Sequence, residues 1–392
     1  MKADELKERV LKKIDLIAPE LVKVADYIHD NPELGYKEHR SSKALAHFLE
    51  KHGFEVEMPF IGFETAFQAT FQGKTSRPKV ALLAEYDALP EIGHACGHNL
   101  IGTACVGAAI GLTEAVKDLE GSVEVLGCPA EETSGAKVDM VKEDVFEDVD
   151  FAMSVHPNDK TLLETHSLAL DALEFTYHGR ASHAAVAPEK GINALNAVIA
   201  LFNHIDALRQ HVKSDVRIHG IITEGGVAPN IVPERAKARF YIRARHRSYL
   251  NEVVEKVKNC ANAAAVATGA KLEVKNFENS FDNLVSNEKL KEVVKKYLEE
   301  FGEEIEEPPA TSGSTDVGNV SHVVPTVNPM IKAVPKGVNP HTKEFAENTR
   351  LKLAHDALVK ASKVLALSAL EVLRDVELLD AVREDFNKAL KT

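Results

Sequence analysis

The sequence predicts an α/β fold: a mainly parallel β-sheet flanked by helices, interrupted by an inserted α+β domain. Three observations point there. Short apolar runs alternate with helical stretches over residues 54–155, the rhythm of strands joined by crossover helices. Three successive runs, ending at Ala84, Gly127 and Val155, break into Asp, Pro, Glu and His, as buried strands do where they leave a sheet edge. From residue 168 the order becomes strand-helix-strand-strand-helix-strand, that of a small ferredoxin-like sheet.

Residues 4–30 and 38–52 have the spacing of helices, and Gly53 suits the C-terminus of the second. Strands are expected at 54–58, 65–72 and 79–84. The Gly-, Ala- and Val-rich stretch 99–119 reads as a helix packed closely on the sheet, followed by strands at 122–127 and 151–155. In the insert, strands are expected at 168–178, 217–224, 236–246 and 271–277, with helices at 192–211 and 250–268. Then 286–301 is helical, 303–309 is an acidic linker, 311–318 is a Gly/Ser-rich loop, 323–334 is apolar, and 343–390 closes in helices. The expected domains are 1–167 with 282–392, and 168–281.

The 392 residues, 44% of them hydrophobic, suffice for two domains of ordinary size. A net charge of -13 disfavours nonspecific binding to nucleic acid or anionic membrane, which needs a basic surface. The N-terminus is charged from its second residue, and no stretch reads as the ~20 apolar residues that span a bilayer, so a cytoplasmic protein is expected. Without an export signal in the sequence, no disulfide framework is expected of the four scattered cysteines. Cys105, Cys128 and Cys260 fall among small apolar residues and are read as core. Only Cys96 has polar company.

That company is the stretch 85–99, which holds two further carboxylates besides Glu91, two histidines and the thiol directly after an apolar strand. Cys96 and His98 are both metal-donor types, and Gly97 between them permits a turn tight enough to aim both at one point. Taken alone, Cys-Gly-His is equally a capped loop. If the three strands are parallel, however, Asp87, Cys96 and His98 share one edge with Glu131-Glu132 and with His156, where such sheets bind ligands.

The assembled pieces resemble metallopeptidase family twenty, the metal-dependent aminoacylase and carboxypeptidase family, over nearly the whole chain. They are Tyr-Asp-Ala-Leu-Pro at 86–90, Gly-His-Ala-Cys-Gly-His at 93–98, Pro-Ala-Glu-Glu at 129–132, His156, Ala-Ser-His-Ala-Ala at 181–185, Pro-Asn-Ile-Val-Pro at 229–233 and His341. The amidohydrolase branch, with hippurate hydrolase and indole-acetyl-amino-acid hydrolase, is similar. Glu85, Asn99 and the run 314–318 look closer to aminobenzoyl-glutamate hydrolase and related dipeptidases.

The resemblance implies two divalent metal ions per subunit, Zn or Mn with Co or Ni able to substitute, bridged by the Cys96 thiolate. His98 and His156 would complete one ion's protein ligands, and Glu132 and His341 the other's. Glu131 would be the general base for a metal-activated water that cleaves an N-acyl or N-aminoacyl amino acid. Asp87 would orient His98. His183 and Asn230 of the insert would stabilise the developing oxyanion and hold substrate, and Arg243 would grip the substrate carboxylate. The insert would act as a lid and dimerisation domain, with hinges near 165–169 and 280–284, in a homodimer. Two other readings use the same residues: Cys96 as a nucleophile beside His94 or His98, and a non-catalytic protein that keeps the metal or ligand site alone.

Overall fold

The computed structural model describes residues 3–309 and 313–391, and the chain in it divides into two units. Unit 1 holds the chain up to His166, residues 284–309, and the chain from Asp316 onward; unit 2 holds Ser167–Asn283 and Gly313–Thr315. Thr311 and Ser312 of the expected Gly/Ser-rich loop lie outside the described residues.

In chain order, unit 1 begins with α1 (Ala3–Asp30), α2 (His39–Lys51), β1 (Glu55–Glu57), β2 (Phe67–Gln72), β3 (Lys79–Glu85), α3 (His98–Val116), β4 (Ser122–Cys128), α4 (Ala136–Lys142), β5 (Phe151–Met153) and β6 (His156–Asn158). Unit 2 contributes β7 (Ala169–His178), α5 (Ala194–Leu208), β8 (Arg217–Glu224), β9 (Arg235–Ala244), α6 (Arg247–Thr268) and β10 (Lys271–Asn276). The chain returns to unit 1 with α7 (Glu288–Glu300), α8 (Val317–Ser321), β11 (Thr326–Val327), β12 (Met330–Lys332), α9 (Lys343–Asn348), α10 (Lys352–Arg374) and α11 (Val376–Ala389).

The main sheet of unit 1 has the order β1-β2-β4-β3-β5-β11, parallel from β4 to β11 and antiparallel at β2 and β1. β3 is buried along its whole length because both sheet faces are covered. Its alternation divides the core: Val80, Leu82 and Ala84 face the cluster built with α1, α3 and α10, while Ala81 and Leu83 face Met140 of α4 and Val317 and Val320 of α8.

α3 corrects one expectation. It is 19 residues long, enough by length and composition to cross a membrane, but nearly all of it is buried inside the protein. The apolarity serves a helix wrapped on several sides rather than one facing lipid. The expected strand 151–155 also proves to be two: β5 joins the main sheet, and after Ser154 and Val155 the chain starts β6, which pairs in parallel with β12. The closing helical stretch is three helices, with Asp375 capping the last.

Unit 2 is a four-stranded antiparallel sheet of order β10-β7-β9-β8. Leu173, Phe175 and Tyr177 of β7 pack with Leu201 of α5 and Val253 and Val257 of α6, so one face is covered by helices. The other face carries Glu174, Lys237, Arg239 and Lys275, which pair across the strands.

Candidate metal centre and active site

β3 pairs in parallel with both β4 and β5, so Glu85, Cys128 and Met153 end at one edge of the unit 1 sheet. The chain after β3 makes a turn held by reciprocal backbone bonds between Leu89 and Gly93 (2.9 and 3.1 Å) and enters α3 at His98. Gly97 caps that helix with φ 79°, where an L side chain is strained, and a Cβ on it would stand 2.4 Å from Pro157 Cγ. Glycine is therefore what lets the Cys96–His98 turn lie against the His156 strand.

Cys96 Sγ is 3.3 Å from His156 Nε2, and His341 Nε2 is 3.5 Å from Glu132 Oε1. The donor atoms of Cys96, His98 and His156 all lie within 4.8 Å of one another, and so do those of Cys96, Glu132 and His341. The two groups share Cys96. Glu131 stands beside them, its Oε2 3.8 Å from His98 Nε2. His341, reached only after β12, is brought in by its backbone N–H, which donates to Ala95 O at 2.8 Å.

The remaining ring nitrogens of two histidines are committed elsewhere, which turns each Nε2 to the pocket. His98 Nδ1 bonds Asp87 Oδ1 (2.8 Å), and His156 Nδ1 bonds Pro157 O (2.8 Å). His98 Nε2 and Glu132 Oε1 are buried with no hydrogen-bond partner among the described residues, a costly arrangement that a cation would relieve. A sulfur, three imidazoles and a carboxylate form a donor set suited to divalent transition metals, so the residues fit bound metal.

Comparison with known proteins agrees with this geometry. Residues 81–371 match the model of Peptidase family M20/M25/M40. The Xaa-Arg dipeptidase of Mus musculus is 36% identical over 98% of this chain and 93% of its own length. The chain belongs to this M20 family. It is accordingly a metal-dependent hydrolase of amide C–N bonds. A p-aminobenzoyl-glutamate hydrolase polypeptide of Escherichia coli K12 is 29% identical over 94% of the chain and 92% of its own length. In fold, a solved dinuclear metal-binding M20 peptidase from Bacillus subtilis is similar with TM-score 0.69 and 20% identity, over 92% of this chain and all of that one.

The M20 pocket pushes its adjacent carboxylates in opposite directions. Burial, then Glu85 and Glu132, hold the Glu131 carboxyl well above the usual carboxylate range. Burial also opposes ionisation of Glu132, but His341 and His98 outweigh it and hold that group low. The two carboxylates therefore differ in their hold on a proton, Glu131 keeping one under conditions where Glu132 is anionic. Burial and the neighbouring Glu132 push the Cys96 thiol up.

Within unit 2, His183 and Asn230 lie in adjoining loops, both exposed, joined by the Ala184 N–H donating to Asn230 O at 3.0 Å. Arg243, on β9, donates from Nη1 to Ser314 Oγ at 3.1 Å, while its Nε is buried without a hydrogen-bond partner among the described residues. Sequence reasoning missed three residues of the M20 site's surroundings. Glu38 Oε1 accepts the Ala130 N–H at 2.8 Å and so fixes the backbone just before Glu131. Lys137 and Asp316 meet behind the pocket. Glu85, singled out in the sequence only for the resemblance it carries, follows the β3 alternation onto the α4 face with Ala81 and Leu83.

Proposed function

We propose that the protein is a dinuclear metallodipeptidase that hydrolyses the peptide or acyl-amino-acid bond of small substrates, with Glu131 as general base. The observation that carries this reading is the pair of donor groups meeting at Cys96, with Glu131 beside them and outside both. Cys96, His98 and His156 would hold one ion, and Cys96, Glu132 and His341 the other; the sulfur and imidazoles favour Zn, and the carboxylate admits Mn. When bound, paired ions supply Lewis acidity that acidifies water and polarises the scissile carbonyl.

Glu131 takes a proton from the attacking water on its carboxylate oxygen and delivers it to the leaving nitrogen. Asp87 keeps His98 in the tautomer that presents Nε2. His183 and Asn230 would bind the developing oxyanion and the substrate, and Arg243 the C-terminal carboxylate, toward which its Nε still has a hydrogen bond to give. The 36% identity to an Xaa-Arg dipeptidase over almost the full chain supports dipeptides with a C-terminal basic residue as the first substrates to try. Two-fold association, with unit 2 as lid and dimerisation domain, belongs to the same reading; the β8 edge, with Ile221 64% and Ile222 44% exposed, supports it. A cytoplasmic location is part of the same proposal.

The test is Glu131→Gln with metal content measured alongside. The substitution should lower kcat by roughly 100-fold or more, the usual size of general-base catalysis, while both ions stay bound. Stripping metal should abolish turnover of Xaa-Arg, Xaa-Lys, N-acyl amino acids and p-aminobenzoyl-glutamate alike, and Zn or Mn should restore it for the preferred substrate. Activity that survives in verified metal-free protein would overturn the reading.

A further inference from the structure

Behind the donor pocket three charged side chains are sealed from solvent: Lys137 and Asp316 are fully buried and Glu85 is 2% exposed. Lys137 Nζ lies 2.6 Å from Asp316 Oδ1 and 2.8 Å from Glu85 Oε1. The Lys137 backbone N–H also donates to Asp316 Oδ2 at 3.1 Å. The group joins the end of β3, the first turn of α4 and the residue that opens α8. Burial opposes the charge on Lys137, but Asp316 and then Glu85 outweigh it and hold the ammonium above the ordinary lysine range.

As a mere bolt between α4 and α8 this triad is inefficient. Buried ion clusters cost much of what they return, and apolar replacements are often neutral or stabilising. Met140, Val317 and Val320 already join the two helices through an apolar cluster. What distinguishes the triad is where Glu85 points its second oxygen: Oε2 is 3.7 Å from His98 Nε2, and Glu85, His98 and Glu131 offer donor atoms within 4.8 Å of one another. A third unengaged carboxylate there would compete for the ion at His98 and crowd Glu131.

We propose that Lys137, anchored by Asp316, is a positioning residue that holds Glu85 through Oε1 and neutralises it, so that Glu85, whose Oε2 already faces His98, does not take up the ion there and Glu131 is left as the one carboxylate free to act as base. The inference rests on the two-ion reading above. It assigns Lys137 no contact with substrate. Its role is to engage Glu85 Oε1 and cancel a charge that would otherwise find the nearest cation.

The test compares two variants of the full chain reconstituted with Co²⁺: Lys137→Met with Asp316→Asn, in which Glu85 is released, and the same pair with Glu85→Gln added. The readouts are kcat, KM and the visible absorption of bound Co²⁺, whose intensity falls as ligands are added. Releasing Glu85 should lower kcat roughly 100-fold, the scale of a disabled general base, with KM changed less than about threefold and a weaker Co²⁺ spectrum. Adding Glu85→Gln should restore both the spectrum and most of kcat. The proposal is overturned if the first variant keeps wild-type kcat and spectrum, if it fails to fold with Co²⁺ present, or if Glu85→Gln restores neither. Absence of a thiolate-to-Co²⁺ absorption band in the wild-type protein would instead refute the two-ion reading itself.

Discussion

Asp87 uses both carboxylate oxygens to hold the site together: Oδ1 bonds His98 Nδ1 at 2.8 Å, and Oδ2 accepts the Glu132 N–H at 3.0 Å. One side chain thus fixes a ring from the first donor group and the backbone of a carboxylate from the second. Asp87→Asn keeps the shape but replaces one acceptor with a donor, so one of the two bonds must fail. Metal affinity or activity should fall 10- to 100-fold, roughly the range for outer partners of metal-binding histidines. Isothermal titration with Zn checks it, and unchanged affinity together with unchanged kcat would refute the role.

Gly97→Ala should be more damaging than its single methyl group implies. The residue sits at φ 79°, and the new Cβ would meet Pro157 Cγ at 2.4 Å, so His156 must shift with its neighbour. A left-handed non-glycine residue alone costs about 1–3 kcal/mol. The expected outcome is a lower melting temperature together with weaker binding of the ion held by His98 and His156. A variant with wild-type melting and metal affinity would show that the strand and turn can separate freely.

The alternation of apolar runs and helices was legible from residue 54 to 155, and with it the shared edge that carries Asp87, Glu131, Glu132 and His156. Elements shorter than two or three turns were not. α4 has 7 residues and α8 has 5, too few for a periodicity to show, and they carry or adjoin Lys137 and Asp316. Those two residues are 179 positions apart, so no local pattern could pair them. Glu38 was hidden for the same reason: its bond to Ala130 spans 92 positions. His156 reads in the sequence as the end of one strand, whereas it opens β6, because the break at Ser154 and Val155 contains neither Gly nor Pro to mark it.

Arg243 offers a test of substrate binding in unit 2. Its Nη1 is used by Ser314, and its Nε has no partner among the described residues. Arg243→Lys retains the charge but loses the planar fork. KM for an Xaa-Arg dipeptide should rise roughly tenfold with kcat little changed, the pattern of lost uniform binding. The corresponding C-terminal amide substrate should be nearly insensitive to the substitution. An equal rise in KM for acid and amide would remove the carboxylate assignment.

Glu38 should make stability depend on pH near neutrality. Burial and then the Asp87 charge raise its carboxyl from the ordinary 4.5 to about 7. Between these values the folded protein keeps the proton while the unfolded chain gives it up. The associated stability is therefore fully present below pH 4.5 and is lost as pH rises through about 7, a change of at most about 3.5 kcal/mol at 1.4 kcal/mol per pKa unit. Glu38→Gln retains a carbonyl oxygen to accept the Ala130 N–H but cannot titrate. Relative to wild type, the variant should gain stability between pH 5 and pH 8, read as a diverging pair of urea midpoints. If the two proteins keep a constant offset across that range, Glu38 ionises equally in both states and its burial exerts no net pull on the proton.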